Sequence, residues 1–394
     1  MRDVFYLAWR YLLFHRFKTA LLILAIALIV TLPAGLQTLV RKGERQLRAR
    51  ASSTPLLLGR KGSPLELTLN ALYFRTAVPA PVSYAEVDRL AATGLADPIP
   101  LYVRFRAQSD KIVGTTLDYF SFRGLRLAAG GQMARLGDCV LGSAVARRRG
   151  LKPGDSVISS PESVFDIAGV FPLKMHVTGI LDFADSPDDH AIFVEIKTAW
   201  VIEGLGHGHG DLKKPELASG VLKKEAGNIV ANASILQYNE ITDDNMESFH
   251  FHGALDAFPV SGILAVPPDR KNATLLMGRY QDAEQRLQIL QPIQVMDELL
   301  VTVFTVQRFV IAALVLVALA TLALAALVLL LSGRLRRREI ETLHRIGGEK
   351  TRVGAILAAE AVLVTVAGLA LAVLLTWITG LAGDELIRLF LIRA

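Results

Sequence analysis

The chain of 394 residues holds one cysteine, Cys139. That excludes an intrachain disulfide framework and leaves a buried structural thiol as the expected role. It lacks the phosphate-loop spacing G-x-x-x-x-G-K-[ST]. Gly347-Gly-Glu-Lys-Thr351 comes nearest, but Glu349 separates Gly348 from Lys350. No G-x-S-x-G or H-E-x-x-H pattern occurs, and Cys139 has no recognisable catalytic context. The chain therefore reads as a non-enzyme with no nucleotide site of its own. Zinc-finger spacing and RNA-binding motifs are also missing, so the net charge of +6 does not point to nucleic acid. Charge itself is absent over two long stretches, Thr19–Val40 and Phe309–Leu331, and reduced to Glu360 in a third, Val353–Thr379.

Each of these runs is long enough to cross a bilayer, which takes ~20 apolar residues. The first exceeds a signal-peptide core of ~7–15 residues, and Pro33-Ala-Gly is a poor cleavage site. It is read as an uncleaved anchor, kinked at Pro33. The aromatic residues before it (Phe5, Tyr6, Trp9, Tyr11, Phe14, Phe17) suit an interfacial helix, with Arg10, Arg16 and Lys18 turned to lipid phosphate and water. Lys and Arg mark the cytosolic side. The hinge carries Arg334, Arg336, Arg337, Arg338, Arg345, Lys350 and Arg352, and the N-terminal flank carries Arg2, Arg10, Arg16 and Lys18. Both are placed inside, which puts the central domain and the C-terminal tail outside. Arg41, Lys42, Arg45, Arg48 and Arg50 oppose this at the outer end of the first span. Long domains translocate largely regardless of such charge, and these residues fit a stalk helix above the bilayer.

The expected organisation is an elbow at 1–18, spans at 19–40, 309–333 and 353–380, an outer domain at 41–308, a coupling segment at 334–352 and a short outer tail at 381–394. The outer domain divides into a split α/β part, about 51–110 and 255–300, and a β-rich insert, about 115–240. In the first part, Pro55–Gly59, Pro98–Phe105, Val260–Val266 and Ile289–Val295 read as strands. Ser83–Ala92 reads as a helix capped by Ser83 and Glu86, and Asp269–Leu287 as another helix. In the insert, Lys174–Leu181 and Ala191–Ile196 read as strands. Gly142–Arg149 and Lys197–Glu203 read as helices, and Gly204–Asp211 as a Gly/His loop.

Three groups of residues carry candidate chemistry. Arg336–Ile346 would form a helix of about 16 Å, with Ile340, Leu343 and Ile346 on one stripe, Glu341 and Arg345 as an i,i+4 pair, and Gly347 as its terminator. Framed by Arg337 and Arg338 and followed by Gly348, it suits either docking on an acidic partner or snorkelling onto lipid headgroups. Glu360 is an intramembrane carboxylate, open to a proton or substrate role or to pairing with Arg352 or an elbow arginine. The third group is His207-Gly-His209 with Asp211, His250-Phe-His252, and Asp188-Asp-His190. Imidazole and carboxylate suit Zn²⁺, although glycine-flanked histidines are also ordinary in loops.

The hinge Arg336-Arg-Arg-Glu-Ile-Glu-Thr-Leu-His-Arg-Ile-Gly-Gly348, leading through Ala358-Ala-Glu-Ala361 into the next span, resembles the permease module of the FtsX/MacB superfamily of ABC transporters. Leu141-Gly-Ser-Ala-Val-Ala, Gly150-Leu-Lys-Pro-Gly-Asp155 and His176-Val-Thr-Gly-Ile-Leu181 resemble the periplasmic domain of that family. The resemblance implies an α-helical membrane protein with a large extracytoplasmic α+β domain, MacB-like, in a bacterial inner membrane. It implies a cytosolic ABC ATPase dimer that carries ATP and Mg, and a second permease copy or paralogue. Arg336, Arg337, Arg338, Glu339, Ile340, Leu343, Arg345, Ile346 and Gly347 would couple to the ATPase. A periplasmic binding protein or lipoprotein would be a further partner. The expected function is mechanotransmission to an outer domain that exports or extracts cargo. The alternatives are zinc uptake or sensing through the outer histidines, and a non-transporting regulator of a periplasmic hydrolase. The family has four spans. Here Leu381–Ala394, with Asp384, Glu385, Arg388 and Arg393, is too short and too charged to be the fourth.

Overall fold

The computed structural model describes residues 2–75, 78–160, 172–208, 221–225, 228–231, 239–281, 286–335, 341–342 and 350–393. The chain divides into two compact units, Arg48–Glu298 and the pair of segments Met1–Leu47 and Leu299–Ala394.

The apolar runs become helices longer than a bilayer requires. Among the described residues three helices are long and apolar enough to cross a membrane, within Arg16–Ser52, Pro292–Val328 and Thr351–Gly383. The second belongs to a helix that continues to Leu335, and the third to one running from Lys350 to Arg393. Their side chains are largely bare, with Leu316 and Leu330 each 69% exposed, as expected where lipid is the solvent. The helix Arg2–Phe14 packs on the final helix and buries Ala8. The first long helix meets the final one through small residues. A Cβ added to Gly368 would lie 2.7 Å from the Ile26 side chain, and one on Gly35 would touch Thr379 at 3.5 Å. Close backbone approach of this kind is how helices associate where water supplies no driving force. Lys42 closes the same contact, donating Nζ to the Gly380 carbonyl at 2.6 Å.

The other unit is an α+β domain around one ten-stranded mixed sheet. Its order is Leu287–Leu290, Leu56–Arg60, Gly262–Val266, Asp97–Ala107, Asp110–Thr115, Ala191–Glu195, Asp138–Leu141, Lys174–Leu181 and Leu127–Gly130, with Ser156–Ile158 also on Lys174–Leu181. The long strand Asp97–Ala107 joins its two ends. Asp97–Leu101 pairs with Gly262–Val266, and Tyr102–Ala107 with Asp110–Thr115. Two neighbours run parallel, Asp110–Thr115 with Ala191–Glu195 and Asp138–Leu141 with Lys174–Leu181. Asp138–Leu141 is buried throughout, as a covered central strand should be. Lys174–Leu181 alternates strictly, with Met175, Val177, Gly179 and Leu181 inward. Cys139 is fully buried in this core.

Several expected elements change. Ser83 is not a cap: the helix begins at Ala85 with Tyr84 at its N-cap, and the Ser83 hydroxyl donates to the Asp256 carbonyl instead. Ser83 also sits in a two-residue strand on Pro259–Val260, so tertiary pairing takes precedence over the local motif. The helix after Asp269 stops at Arg279. The strand expected to reach Val295 ends at Leu290, because Pro292 opens the next helix, a position where its fixed φ is favourable. Pro64–Tyr73 is a helix that sequence periodicity did not reveal, capped by Ser63. Gly206–Gly208, expected as loop, is a strand antiparallel to Phe249–Phe251.

Candidate functional site

The last turn of the helix Arg16–Ser52 carries Arg50 into the core of the α+β domain. Arg50 is 8% exposed and Asp188 1%. The guanidinium donates Nη1 to Asp188 Oδ2 at 2.5 Å and Nη2 to Oδ1 at 2.8 Å, the bidentate geometry that suits arginine to carboxylate. Its Nη2 also donates to the Tyr119 hydroxyl at 2.6 Å, and Nε to the Leu72 carbonyl at 3.1 Å. Tyr119 in turn donates to Asp188 Oδ1 at 2.7 Å. Burial alone would raise the Asp188 carboxyl, but the Arg50 charge and the hydrogen bonds from Arg50 and Tyr119 outweigh it and hold it below its ordinary value. Burial pushes the Tyr119 phenol up. Arg123 extends the cluster, donating to Ser53 Oγ at 3.0 Å and Thr54 Oγ1 at 2.9 Å. Arg48 meets Asp297 at 2.9 Å.

Asp188 and Asp189 are therefore committed to structure and not to a metal. Asp189 accepts from the Ser186 and Ala184 amides at 3.0 Å each and from Ser143 Oγ at 2.8 Å, which closes a capping box around the short helix Pro187–His190. The basic run at the exit of the first span contained Arg50, but nothing local distinguished it from Arg41 or Arg45. Asp188 and Tyr119, 138 and 69 positions away, were not legible as its partners.

The histidines form a second cluster. Register pairs His207 with His250 across the two-stranded sheet, and His252 lies two residues beyond His250. Strand geometry puts cross-strand partners and i,i+2 residues on one face. The three rings stand with centroids 4.7–5.0 Å apart, and one ligand atom from each lies within 4.8 Å of the others. The glycines beside His207 are explained by the opposite face. A Cβ on Gly206 would lie 2.6 Å from the Phe251 ring and one on Gly208 2.5 Å from that of Phe249. Phe251 continues the aromatic packing of Trp200 and Phe258. His209 and Asp211 lie outside the described residues.

Glu360 is 4% exposed, beside the buried Ala359. Of the coupling segment, Glu341 and Thr342 are helical and exposed. Arg336, Arg337, Arg338, Glu339, Ile340, Leu343, Arg345, Ile346 and Gly347 lie outside the described residues.

Residues 19–231 match the model of the MacB-like periplasmic core domain, more than half of the chain. The chain belongs to the MacB-like periplasmic core domain family. It is a permease-type subunit of the FtsX/MacB class of ABC transporters, a membrane protein with an extracytoplasmic domain. The extracellular domain of the noncanonic ABC-type transporter YknZ from Gram-positive bacteria is similar, at 12% identity and TM-score 0.32 over 60% of this chain and 98% of that one. So is the periplasmic region of MacB from Actinobacillus actinomycetemcomitans, at 11% identity and TM-score 0.33 over 62% of this chain and 92% of that one. No curated protein sequence matches the chain. In this MacB-like chain the family match spans both Arg50 and its partners Tyr119 and Asp188.

Proposed function

We propose that this chain transmits force as the permease subunit of an FtsX/MacB-type ABC system in a bacterial inner membrane. A separate cytosolic ATPase dimer binds ATP and Mg and closes beneath Arg336–Ile346. The second and third apolar helices shift, and the outer domain opens or closes on cargo that is exported or extracted. A second permease copy or paralogue completes the assembly. Such a cycle needs two discrete states that nucleotide biases.

The observation that carries this reading is the family match, which starts inside the apolar stretch at residue 19 and runs through the outer domain to 231. Anchor and domain therefore belong to one family module.

The test is co-purification of the full chain in mild detergent, followed by nucleotide hydrolysis in lipid nanodiscs. An ABC ATPase should accompany the chain. Reversing the charge at Arg337 and Arg338 to Glu should lower its recovery and its permease-dependent hydrolysis at least tenfold, about 1.4 kcal/mol of coupling. Purification without any nucleotide-hydrolysing partner, or full coupling in the charge-reversed chain, would refute the proposal.

A further inference from the structure

The three-histidine cluster is not used in the proposed force transmission, and its ligand atoms lie close enough together to hold one ion. We propose that His207, His250 and His252 bind a single Zn²⁺ ion through their imidazole nitrogens, on one face of the two-stranded sheet Gly206–Gly208/Phe249–Phe251.

Distance is the first argument. Nε2 of His207 and Nε2 of His252 face each other at 3.5 Å. Two nitrogens bound to one tetrahedral zinc at 2.0–2.1 Å stand ~3.3 Å apart. The third ligand atom is within 4.8 Å of both, so ring rotations of ~1 Å would complete a zinc-sized triangle. Orientation is the second argument. Nδ1 of His250 lies 3.0 Å from the Ser248 carbonyl. An Nδ1–H donated to that carbonyl is the outer-shell arrangement that fixes the tautomer of metal-bound histidine.

Backbone and packing hold the three residues in place. His207 and His250 are fixed by strand register, and the His252 amide donates to the Leu205 carbonyl at 3.0 Å. Beneath them Phe251 packs on Trp200, whose indole N–H donates to the Pro259 carbonyl at 2.8 Å. Gly206 and Gly208 leave room for the phenylalanine rings and so turn the opposite face over to imidazole. His250 and His252 are exposed and His207 is half-buried, so the ion could enter from solvent. An all-nitrogen imidazole set suits zinc and disfavours calcium or magnesium, which take oxygen. Among the described residues three imidazoles make up the set, and tetrahedral zinc takes one donor more.

The test uses the full chain in detergent, stripped of metal and titrated with Co²⁺ and then Zn²⁺. One equivalent of Co²⁺ should give the intense visible bands of tetrahedral coordination, and one equivalent of Zn²⁺ should displace it. His207→Ala, His250→Ala and His252→Ala should each weaken zinc binding at least tenfold, and the triple variant should abolish the cobalt bands. His176→Asn, at a ring that meets Glu240 and the Ile241 carbonyl, should leave both unchanged. A metal-free melting curve for each variant establishes that it folds. An independent readout needs no variant: stoichiometric zinc should slow carbethoxylation of His207, His250 and His252 in the unaltered chain, as mapped by peptide mass. Absence of tetrahedral cobalt bands, binding undiminished in the folded triple variant, or unchanged carbethoxylation would each overturn the site.

Discussion

At the residue scale, the buried Arg50–Asp188–Tyr119 cluster raises the question of what a charge pair contributes once water is gone. Replacing both ions with apolar groups can be neutral, but removing one strands the other and costs ~3–5 kcal/mol. Asp188→Asn should therefore lower the unfolding free energy of the full chain by about that much, and Tyr119→Phe by ~1–2 kcal/mol. The pH dependence has a definite sign. Because the folded Asp188 carboxyl titrates below its ordinary value of 3.8, its stabilisation is complete above that value. It is lost as pH falls through the lower folded value. The stability difference between the native chain and Asp188→Asn should be flat at neutral pH and shrink only below about pH 4. Thermal melts across that range measure it, and a difference already fading at pH 6 would contradict the assignment. Arg50 was present in the basic run that the sequence displays. Its role was not, because a bidentate partner 138 residues away leaves no mark near it.

At the scale of elements, the first and final long helices pack by shape, with a polar contact from Lys42 to the Gly380 carbonyl. Gly368 faces Ile26, with room for a hydrogen and not for a methyl group. Gly368→Leu should separate the first and final helices and lower the melting temperature in detergent, whereas Gly354→Leu, whose added Cβ meets none of the described residues within 4 Å, should be nearly silent. Equal losses at both sites would rule out packing at Gly368 as the cause, since leucine has the higher helix propensity at either position. Strand and helix types were readable wherever a regular pattern ran several residues, as in Lys174–Leu181 and Ser143–Arg149. They were misread where a distant segment decided. Ser83 carries a capping sequence but is drawn into a strand by Pro259–Val260. Gly206–Gly208 has the composition of a loop but is held as a strand by Phe249–Phe251.

On the scale of the whole molecule, charge distribution predicts sidedness. Ser109, exposed at the turn between two sheet strands, and Glu341, exposed in the hinge, should face opposite compartments. With Ser109→Cys, an impermeant maleimide should label intact spheroplasts. With Glu341→Cys, labelling should require permeabilisation. The native Cys139 supplies no background, since it is fully buried and burial pushes its thiol well up from the ordinary range. Labelling of Glu341→Cys from outside would invert the topology and remove any cytosolic ATPase from the hinge.

The amino-acid sequence by itself displayed three bilayer-length apolar runs around a large domain of mixed strand and helix signals, and its motifs resembled those of the MacB-like family. Bilayer-length apolar runs and local patterns of alternation are properties of neighbouring residues, and no folding is needed to see them. Tertiary structure alone decided which arginine is locked into the domain, which aspartates are occupied, and which of the scattered histidines share a face. Those outcomes depend on strand register and on contacts between residues tens to more than a hundred positions apart. A one-residue slip in the register of Gly206–Gly208 would turn His207 to the other side of the sheet.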